Sequence, residues 1–280
     1  MPDTNRLPPD EPSPIAAGSR KETPSASSAR SRASSASNSP PRKIHCVLNG
    51  KGGIGKTFVA SQIAQYLKES GTPLVCLDTD VVNHSFRDFT ALAVETVDVF
   101  HADSDEIDSR AMDSMTERFL KEDTNFVVDT GATSFLPLSR YLIEAGIPEL
   151  IVGAGKTLVI HAVIAGGQEL IQTVNGFEAI LRHFPASAEI IVWLNAHHGE
   201  IDQADASFEE TPIYEQHKGR IAAIVRLPRQ HRAFGQNLAT MLKQHLTFAE
   251  ADQADGFYVV EKQRLRQIKR GIWEQLVQAL

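Results

Sequence analysis

The sequence predicts an α/β fold, a mostly parallel sheet of about seven strands with helices on both faces. Short apolar runs with the length of buried strands alternate with segments of helical periodicity, which indicates successive right-handed crossovers. A glycine-rich loop follows the first of these runs, Ile44 to Leu48, and leads directly into a helix. Polar residues close several later runs. We therefore expect a ligand site at the carboxyl ends of the strands, where open parallel sheets bind ligands.

Composition limits the classes of protein that this chain can represent. It has 280 residues, 42% of them hydrophobic, which is enough for one buried α/β core. The net charge of -7 argues against general attraction of the whole molecule to DNA or anionic lipid. Binding of either one through a local basic patch stays an alternative. Cys46 and Cys76 lie inside apolar runs and are predicted core residues of a reducing compartment. With no apolar run near 18 residues and no visible signal peptide, we expect a cytoplasmic location.

The first 42 residues are rich in Ser, Pro, Ala and Arg and contain almost no large apolar side chains. Such a segment buries too little surface to offset its ordering entropy, so we predict a disordered tail before a folded domain at 43–280. Its scattered basic residues leave two alternatives, a solvated extension or a weak DNA- or partner-binding tail.

The stretch Asn49-Gly50-Lys51-Gly52-Gly53-Ile54-Gly55-Lys56-Thr57 matches the phosphate-loop pattern G-x-x-x-x-G-K-[ST]. We expect the glycines to adopt positive φ angles and to turn backbone N–H groups towards a triphosphate, at the positive end of the following helix. The pattern assigns Lys56 to the β- and γ-phosphates and the Thr57 hydroxyl to Mg²⁺. The alternative is a glycine-rich turn that merely precedes a lysine. The predicted nucleotide-binding segment is Gly50, Lys51, Gly52, Gly53, Ile54, Gly55, Lys56, Thr57 and Phe58.

Two further predicted strands end in acidic residues. Pro73 to Asp80 closes with Asp78-Thr79-Asp80, and Asn125 to Asp129 closes with one aspartate before Gly131. An apolar strand that ends in Asp is the Walker B arrangement, in which the carboxylate reaches Mg²⁺ through a bound water. Asp129 is therefore a predicted metal residue. For Asp78 and Asp80, a surface turn with two incidental acids stays open.

The remaining elements follow from periodicity. The predicted strands are an edge strand at Val97 to Phe100 and strands at Pro148 to Val152, Glu189 to Leu194 and Arg220 to Leu227. The predicted helices are Asp108 to Lys121, Ser134 to Ala145, and Thr157 to Leu181 with a break near Gly166-Gly167. Residues 199–218 are acidic and polar and indicate a lid or a partner surface.

Glu261 to Leu280 is predicted to be a basic amphipathic helix. Its apolar stripe comprises Leu265, Ile268, Ile272, Leu276 and Leu280. The favoured placement is against the sheet. The alternative is peripheral contact with a membrane.

The sequence KGGxGKT, with Lys51 directly after the first glycine, resembles the deviant Walker A family that includes ParA, MinD and the nitrogenase iron protein. The resemblance implies that Lys51 reaches the nucleotide of a second protomer. It further implies that Asp80 orients the attacking water near Mg²⁺, that Asn195 reads adenine, and that Leu227 and Pro228 shape the base pocket. For Asn195, a plain turn residue stays the alternative.

A narrower resemblance covers residues 43–280. The stretches KIHCVLNGKGGIGKT, CLDTDVVN, VVDTGATSFLPLSRYLI, LVIHAVIAGGQ and IVWLNAHHG are similar to the TraL family of nucleotide-binding proteins, which transfer regions of conjugative plasmids encode. This resemblance implies a role in conjugal transfer or plasmid maintenance, with partner proteins of those systems.

Together these features predict an ATP- and Mg²⁺-binding switch with slow hydrolysis that forms a nucleotide-dependent homodimer. Lys51 and Asp80 are its predicted catalytic residues. Thr57, Asp80 and Asp129 are its predicted metal residues. Two alternatives stay open: a regulatory module that does not hydrolyse ATP, and a partition ATPase that binds DNA non-specifically. DNA contact through partners or the basic tail is compatible with either.

Overall fold

The computed structural model describes residues 40–80, 83–101, 106–202 and 207–280. Residues 1–39 of the predicted tail lie outside these ranges, as do residues 203–206 of the predicted lid. Arg42, which the sequence assigned to the tail, already contacts the fold. Its Nε donates to Asp123 Oδ1 at 2.8 Å, and its carbonyl accepts the N–H of Thr157 at 3.0 Å.

Seven strands form one sheet, and every neighbouring pair is parallel, as predicted. The strands are β1 (Lys43–Leu48), β2 (Leu74–Asp78), β3 (Glu95–Thr96), β4 (Asn125–Asp129), β5 (Thr157–Ala165), β6 (Glu189–Asn195) and β7 (Ile221–Leu227). Their order across the sheet is β3-β2-β4-β1-β5-β6-β7. The chain leaves β1 towards one side of the sheet and later crosses from β4 to the other side. A crevice therefore opens at the carboxyl end of β1.

Helices cover both faces of the sheet, as the sequence predicted. They are α1 (Lys56–Glu69), α2 (Ser109–Lys121), α3 (Phe135–Glu144), α4 (Ile147–Gly153), α5 (Leu170–His183), α6 (Pro212–His217), α7 (Arg232–Lys243), α8 (Phe248–Gln253) and α9 (Val259–Ala279). The sheet has a hydrophobic core on each face, and alternate residues of each buried strand point into one core or the other. In β1, Ile44 and Cys46 face the core with α2 to α5, while Val47 faces the core with α1, α7, α8 and α9.

Between α3 and β6, the observed secondary structure differs from the predicted one in two places. Pro148 to Val152, predicted as a strand, belongs to helix α4, and the first half of the predicted helix Thr157 to Leu181 is strand β5. Proline in the first turn of α4 and Gly146 before it are helix-start signals that the apolar run concealed. The run of β5 is apolar on both faces because the strand lies at the centre of the sheet, and periodicity alone cannot distinguish such a strand from a buried helix.

The edge of the sheet also differs from its prediction. Strand β3 is Glu95–Thr96, and Val97 to Phe100 lie beyond it, where Phe100 forms only an isolated antiparallel bridge with Ile107. The edge strand is thus two residues long. Such a short edge presents little unpaired backbone to other chains.

The terminal helix α9 packs against β7, α7 and α1, the favoured placement. Leu265, Ile268, Ile272 and Leu276 of its apolar stripe are buried in the core. A membrane could contact these side chains only if the helix left the sheet. In the described ranges, none of the helices has both the length and the apolar character needed to cross a bilayer.

Candidate functional site

The glycine loop runs from the carboxyl end of β1 to the start of α1, as predicted. Gly53 and Gly55 have positive φ angles of 75° and 97°. The same expectation was wrong for Gly50 and Gly52, which have no positive φ. Gly50 is needed for a different reason. A Cβ atom there would lie 3.0 Å from the ring of Phe135, so a side chain would require that ring to shift by a few tenths of an ångström.

Lys56 lies inside this loop and is buried. Its Nζ donates to the carbonyl of Lys51 at 2.7 Å. Burial lowers the pKa of Lys56, while the nearby carboxylates of Asp129 and Asp80 act in the opposite direction. The loop therefore holds a cation with few partners among the protein groups, which suits contact with phosphate oxygens.

Thr57 and Asp129, both predicted metal residues, meet at the end of the loop. Thr57 Oγ1 donates to Asp129 Oδ2 at 2.6 Å and lies 3.0 Å from Ser85 Oγ. Among the described residues, Asp129 Oδ1 is buried and has no hydrogen-bond partner. Burial raises the pKa of Asp129 to about 7, and the hydrogen bond from Thr57 limits this rise.

This donor set fits Mg²⁺. An unpartnered buried carboxylate oxygen beside a hydroxyl supplies the oxygen ligands that a hard divalent cation prefers. In the ranges that the structure describes, no group of three or more His, Cys, Asp or Glu side chains could hold a metal ion. Mg²⁺ needs no such cage, because it usually keeps several waters and binds through one or two protein oxygens together with substrate phosphates.

The two aspartates at the carboxyl end of β2, Asp78 at its last position and Asp80 beyond it, have different surroundings. The Asp78 carboxylate accepts the N–H groups of Asp80, Phe86 and Arg87 at 2.9, 3.1 and 3.1 Å, so it shapes the loop. Asp80 Oδ1 accepts the N–H of Asn83 at 3.1 Å. A Cβ atom at Gly131 would lie 2.8 Å from Asp80 Cγ, so the loops after β2 and β4 meet at this glycine.

A cavity of about 460 Å³ opens between these groups. Six predicted site residues line it, namely Gly52, Gly53, Gly55, Lys56, Thr57 and Asp80. The cavity is also lined by Ser85, Thr130, Ala132 and Thr133, which no sequence pattern predicted. Their signal was position alone, since Ser85 follows the first acidic motif and Thr130 to Thr133 follow the second. We refer to this space as the phosphate cavity.

A second cavity, of about 800 Å³, adjoins the same loop. Phe58, Asn195, Leu227 and Pro228, all predicted to contact a nucleotide, line it together with Gly53 and Gly55. Its far wall is apolar and comes from α7 and α9, including Phe234, Leu238, Leu242, Ile268 and Ile272. The sequence contained no motif for these wall residues. We refer to this space as the base cavity.

Asn195 and Ile54 meet at the loop. Asn195 Nδ2 donates to the carbonyl of Ile54 at 2.9 Å, and Asn195 Oδ1 accepts the N–H of His197 at 3.1 Å. The side chain of Ile54 is buried in the core with α1. Ile54 thus contributes its backbone to the site.

Lys51 lines neither cavity of its own chain. Its Nζ lies 3.0 Å from Glu169 Oε2, just before α5, and the two side chains are 33% and 29% exposed. Below it, Asn49 Oδ1 accepts the N–H of Lys51 at 3.0 Å, and Asn49 Nδ2 donates to the carbonyl of Val163 at 2.9 Å. The backbone of Lys51 is therefore anchored, while its ammonium group pairs, within the described part of the chain, with a carboxylate that is about one-third exposed.

The raised pKa of Asp129 predicts a pH-dependent metal affinity. Mg²⁺ requires the ionised carboxylate, so with nucleotide present its affinity should fall by about tenfold per pH unit below pH 7 and level off above it. Titration of Mg²⁺ into the nucleotide complex at several pH values measures this. In the Asp129→Asn variant, the same titration still includes the protonation of the nucleotide but not that of residue 129. The pH dependence of the Mg²⁺ affinity should therefore be weaker by one proton than in the wild-type protein. Parallel curves for the two proteins would contradict the prediction.

The sequence is similar to known proteins over most of its length. A family model described as ParA, an NUBPL iron-transfer P-loop NTPase, matches residues 41–134. Two relatives, both "Protein TraL" of Escherichia coli, are 40% and 39% identical over 84% and 85% of this chain, which covers 97% and 98% of theirs.

Solved structures with a similar arrangement include two MinD proteins. MinD of Aquifex aeolicus matches with a TM-score of 0.45 and 15% identity over 81% of this chain and 95% of that chain. MinD of Pyrococcus horikoshii OT3, complexed with Mg-ADP, matches with a TM-score of 0.44 and 13% identity over 84% and 96%.

Proposed function

This chain belongs to the TraL family, and on that premise we propose that it is an ATP- and Mg²⁺-binding switch with slow hydrolysis. The observation that supports this best is the pair Thr57 and Asp129, with an unpartnered carboxylate oxygen beside a buried lysine. We further propose that the switch acts in the cytoplasm, in conjugal transfer or maintenance of a plasmid, together with other proteins of that system.

Each residue has a proposed role in this site. Lys56 and the backbone from Gly50 to Gly55 hold the phosphates, while Thr57 and Asp129 hold Mg²⁺. The ion neutralises charge on the β- and γ-phosphate oxygens when bound. Asp80 orients the attacking water, because its carboxylate lies over Gly131 at the edge of the phosphate cavity.

Lys51 acts on the nucleotide of a second protomer in this proposal. Its ammonium group does not reach the cavities of its own chain, so its charge is available to a partner. The ion pair with Glu169 is half-exposed, and such pairs contribute only about 0–1 kcal/mol, so exchanging it for a phosphate contact costs little. Ile171, two residues after Glu169, and Leu136, next to Phe135 whose ring lies beside Gly50, are 74% and 69% exposed. Exposed apolar side chains of this kind suit an interface.

The dimer is tested by measuring molar mass in solution with ATP, with ADP and without nucleotide. We expect a dimer with ATP only, because the γ-phosphate supplies the contact to the partner's Lys51. Lys56→Ala, which loses the phosphate contact, should stay monomeric throughout. A wild-type protein that stays monomeric with Mg²⁺ and ATP would contradict the proposal.

The DNA-binding alternative predicts an exposed basic patch, and the structure offers less of one than the sequence indicated. On α9, Arg266 pairs with Asp252 at 2.7 Å and Lys269 pairs with Glu69 at 2.7 Å. Steep salt dependence of DNA binding would still support this alternative. If the chain is instead a regulatory module that does not hydrolyse ATP, the wild-type protein should turn over ATP no faster than the Lys56→Ala variant.

A further inference from the structure

Asn49, the residue before the first glycine of the phosphate loop, is bonded on three sides inside the fold. Its side chain is buried, and its Oδ1 accepts the N–H of Lys51 at 3.0 Å. Its Nδ2 lies 2.9 Å from the carbonyl oxygen of Val163 in β5 and 3.3 Å from that of Thr173 in α5. Because carbonyl oxygens can only accept, these partners fix the orientation of the amide. Asn49 therefore joins the loop to a strand and to a helix.

The side chain of Asn49 acts on the protein and not directly on a nucleotide. It lines neither the phosphate cavity nor the base cavity. The phosphate-loop pattern begins one residue later, at Gly50, so the sequence gave Asn49 no role. The part of the loop that this amide holds is the main chain of Lys51.

One face of α5 is shaped around the same amide. A Cβ atom at Gly176, in the interior of this helix, would lie 2.9 Å from Asn49 Oδ1 and 3.2 Å from Asn49 Cγ. Glycine is a poor helix former, and here the absence of a side chain makes room for the amide. Thr173, one turn earlier, is also anchored, because its Oγ1 accepts the N–H of Ala165 at the end of β5 at 3.1 Å. The position of α5 thus constrains that of Asn49.

Lys51 is joined to α5 at two points. Its ammonium group pairs with Glu169 at 3.0 Å, and its N–H is held by Asn49, which also contacts Thr173. Glu169, Thr173 and Gly176 follow one another at intervals of four and three residues, the spacing of one helix face. In the proposed dimer the ammonium group leaves Glu169 for a phosphate of the partner. The link through Asn49 does not involve the ammonium group, so it persists in that step.

We propose that Asn49 is a positioning residue for Lys51 and that α5 sets its position through Thr173 and Gly176. Asn49 holds the base of the Lys51 side chain while the ammonium group moves to the nucleotide of the second protomer. A group that is held in advance loses less conformational freedom on contact, and a misplacement of about 1 Å can cost about 100-fold in rate. The inference rests on the proposed function, since it requires Lys51 to act on a partner.

Gly176→Ala tests this inference without changing Asn49 or Lys51. The added methyl group forces the amide or α5 to shift, so single-turnover hydrolysis of ATP should slow by about 10- to 100-fold. The affinity of the monomer for ADP should change by less than about threefold, because Asn49 lines neither cavity. Gly153→Ala, at the exposed end of α4, is the matched control, since a Cβ atom there has nothing within 4 Å. Turnover at the wild-type rate, or an ADP affinity that falls as far as the turnover, overturns the inference.

Asn49→Ser tests the link from the other side. The serine hydroxyl can still accept the N–H of Lys51, as in a turn, but it lacks the amide that reaches Val163 and Thr173. Turnover should fall as in Gly176→Ala, again with little change in ADP affinity. Adding Gly176→Ala to this variant should have no further effect, because the methyl group then meets no amide. Effects that multiply would show that the two positions act independently, which overturns the inference.

Thermal unfolding checks that each variant is folded. If Gly176→Ala does not fold, the turnover and ADP affinity of Asn49→Ser decide the question alone. Failure of the proposed function gives a different result. If Lys51→Ala hydrolyses ATP at the wild-type rate, the action of Lys51 on a partner fails first. If Lys51→Ala loses turnover while Gly176→Ala keeps it, only the role of Asn49 is wrong.

Discussion

Replacement of Lys51 by alanine is expected to lower ATP turnover by about 10³-fold or more, the range measured for charged groups supplied by a second protein in phosphoryl transfer. The affinity of the monomer for nucleotide should change by less than about threefold, because Lys51 lines neither cavity of its own chain. Single-turnover hydrolysis and equilibrium nucleotide binding measure the two effects separately. A variant that hydrolyses ATP at the wild-type rate would contradict the role of Lys51.

Mixing two inactive variants decides whether Lys51 acts on its own nucleotide or on the partner's. Asp80→Ala lacks the proposed water-positioning carboxylate and retains Lys51. In a mixed dimer with Lys51→Ala, one site contains Asp80 and receives Lys51 from the other protomer. An excess of Asp80→Ala should therefore restore turnover to the Lys51→Ala protein. A mixture that stays inactive would place the action of Lys51 within one chain.

Glu169 provides a milder test of the same step. Glu169→Gln removes the ion pair at 3.0 Å and should favour the ATP-dependent dimer by up to about fivefold, since a half-exposed pair contributes at most about 1 kcal/mol. Glu178→Gln is the matched control on α5, because Glu178 pairs with Arg182 at 2.8 Å on the exposed surface.

Acid is expected to destabilise the fold through a buried histidine pair. His45 Nδ1 lies 3.0 Å from His161 Nε2, and Trp193 Nε1 donates to His161 Nδ1 at 2.9 Å. Because an indole N–H can only donate, the hydrogen of His161 is on Nε2 and is donated to His45. Both rings are therefore neutral. Burial lowers the pKa of His45 to about 3 and that of His161 well below its ordinary value, and Lys43 adds to both shifts.

The sign of the effect follows from which state binds more protons. An unfolded histidine takes up a proton near pH 6.5 and the folded ones do not, so each His contributes stability above that pH and loses it as the pH falls. Each contributes a slope of about 1.4 kcal/mol per pH unit below pH 6. Asp129 acts in the opposite direction between its unfolded pKa and about 7, because its folded state keeps the proton. The effects of two histidines and one opposing aspartate add up to a net change. As the pH falls, the free energy of unfolding should decrease by about 1.4 kcal/mol per pH unit through these groups.

Urea unfolding between pH 7 and pH 5, without nucleotide, measures this slope. His45→Gln retains an acceptor for His161 and does not titrate. The slope of the free energy of unfolding against pH should therefore decrease by about 1.4 kcal/mol per pH unit. Asp129→Asn should make it steeper by a similar amount. If both variants show the wild-type slope, the neutral pair does not control the acid response.

The phosphate loop and the acidic strand ends could be predicted because their chemistry is local. Glycine spacing, one lysine and one threonine after a strand specify an anion site within nine residues, Asn49 to Thr57. The strands that end in Asp78 and Asp129 then follow in chain order, with Asp80 just beyond the first, and parallel strands bring their carboxyl ends to one edge. Local patterns failed where the chain is apolar on both sides. The segment of α4 was therefore predicted as a strand and that of β5 as a helix.

By itself, the sequence determined the fold class, the phosphate loop and the family, because each depends on periodicity or on residues that are neighbours in the chain. Only the tertiary structure decided which groups are already satisfied. The bond from Asn195 to Ile54 joins residues 141 positions apart, and the pair of Lys51 with Glu169 exists only because α5 begins beside the loop. The wall that α7 and α9 give to the base cavity likewise comes from packing. Hydrogen bonding and burial depend on distance in space, and a linear pattern does not contain that distance.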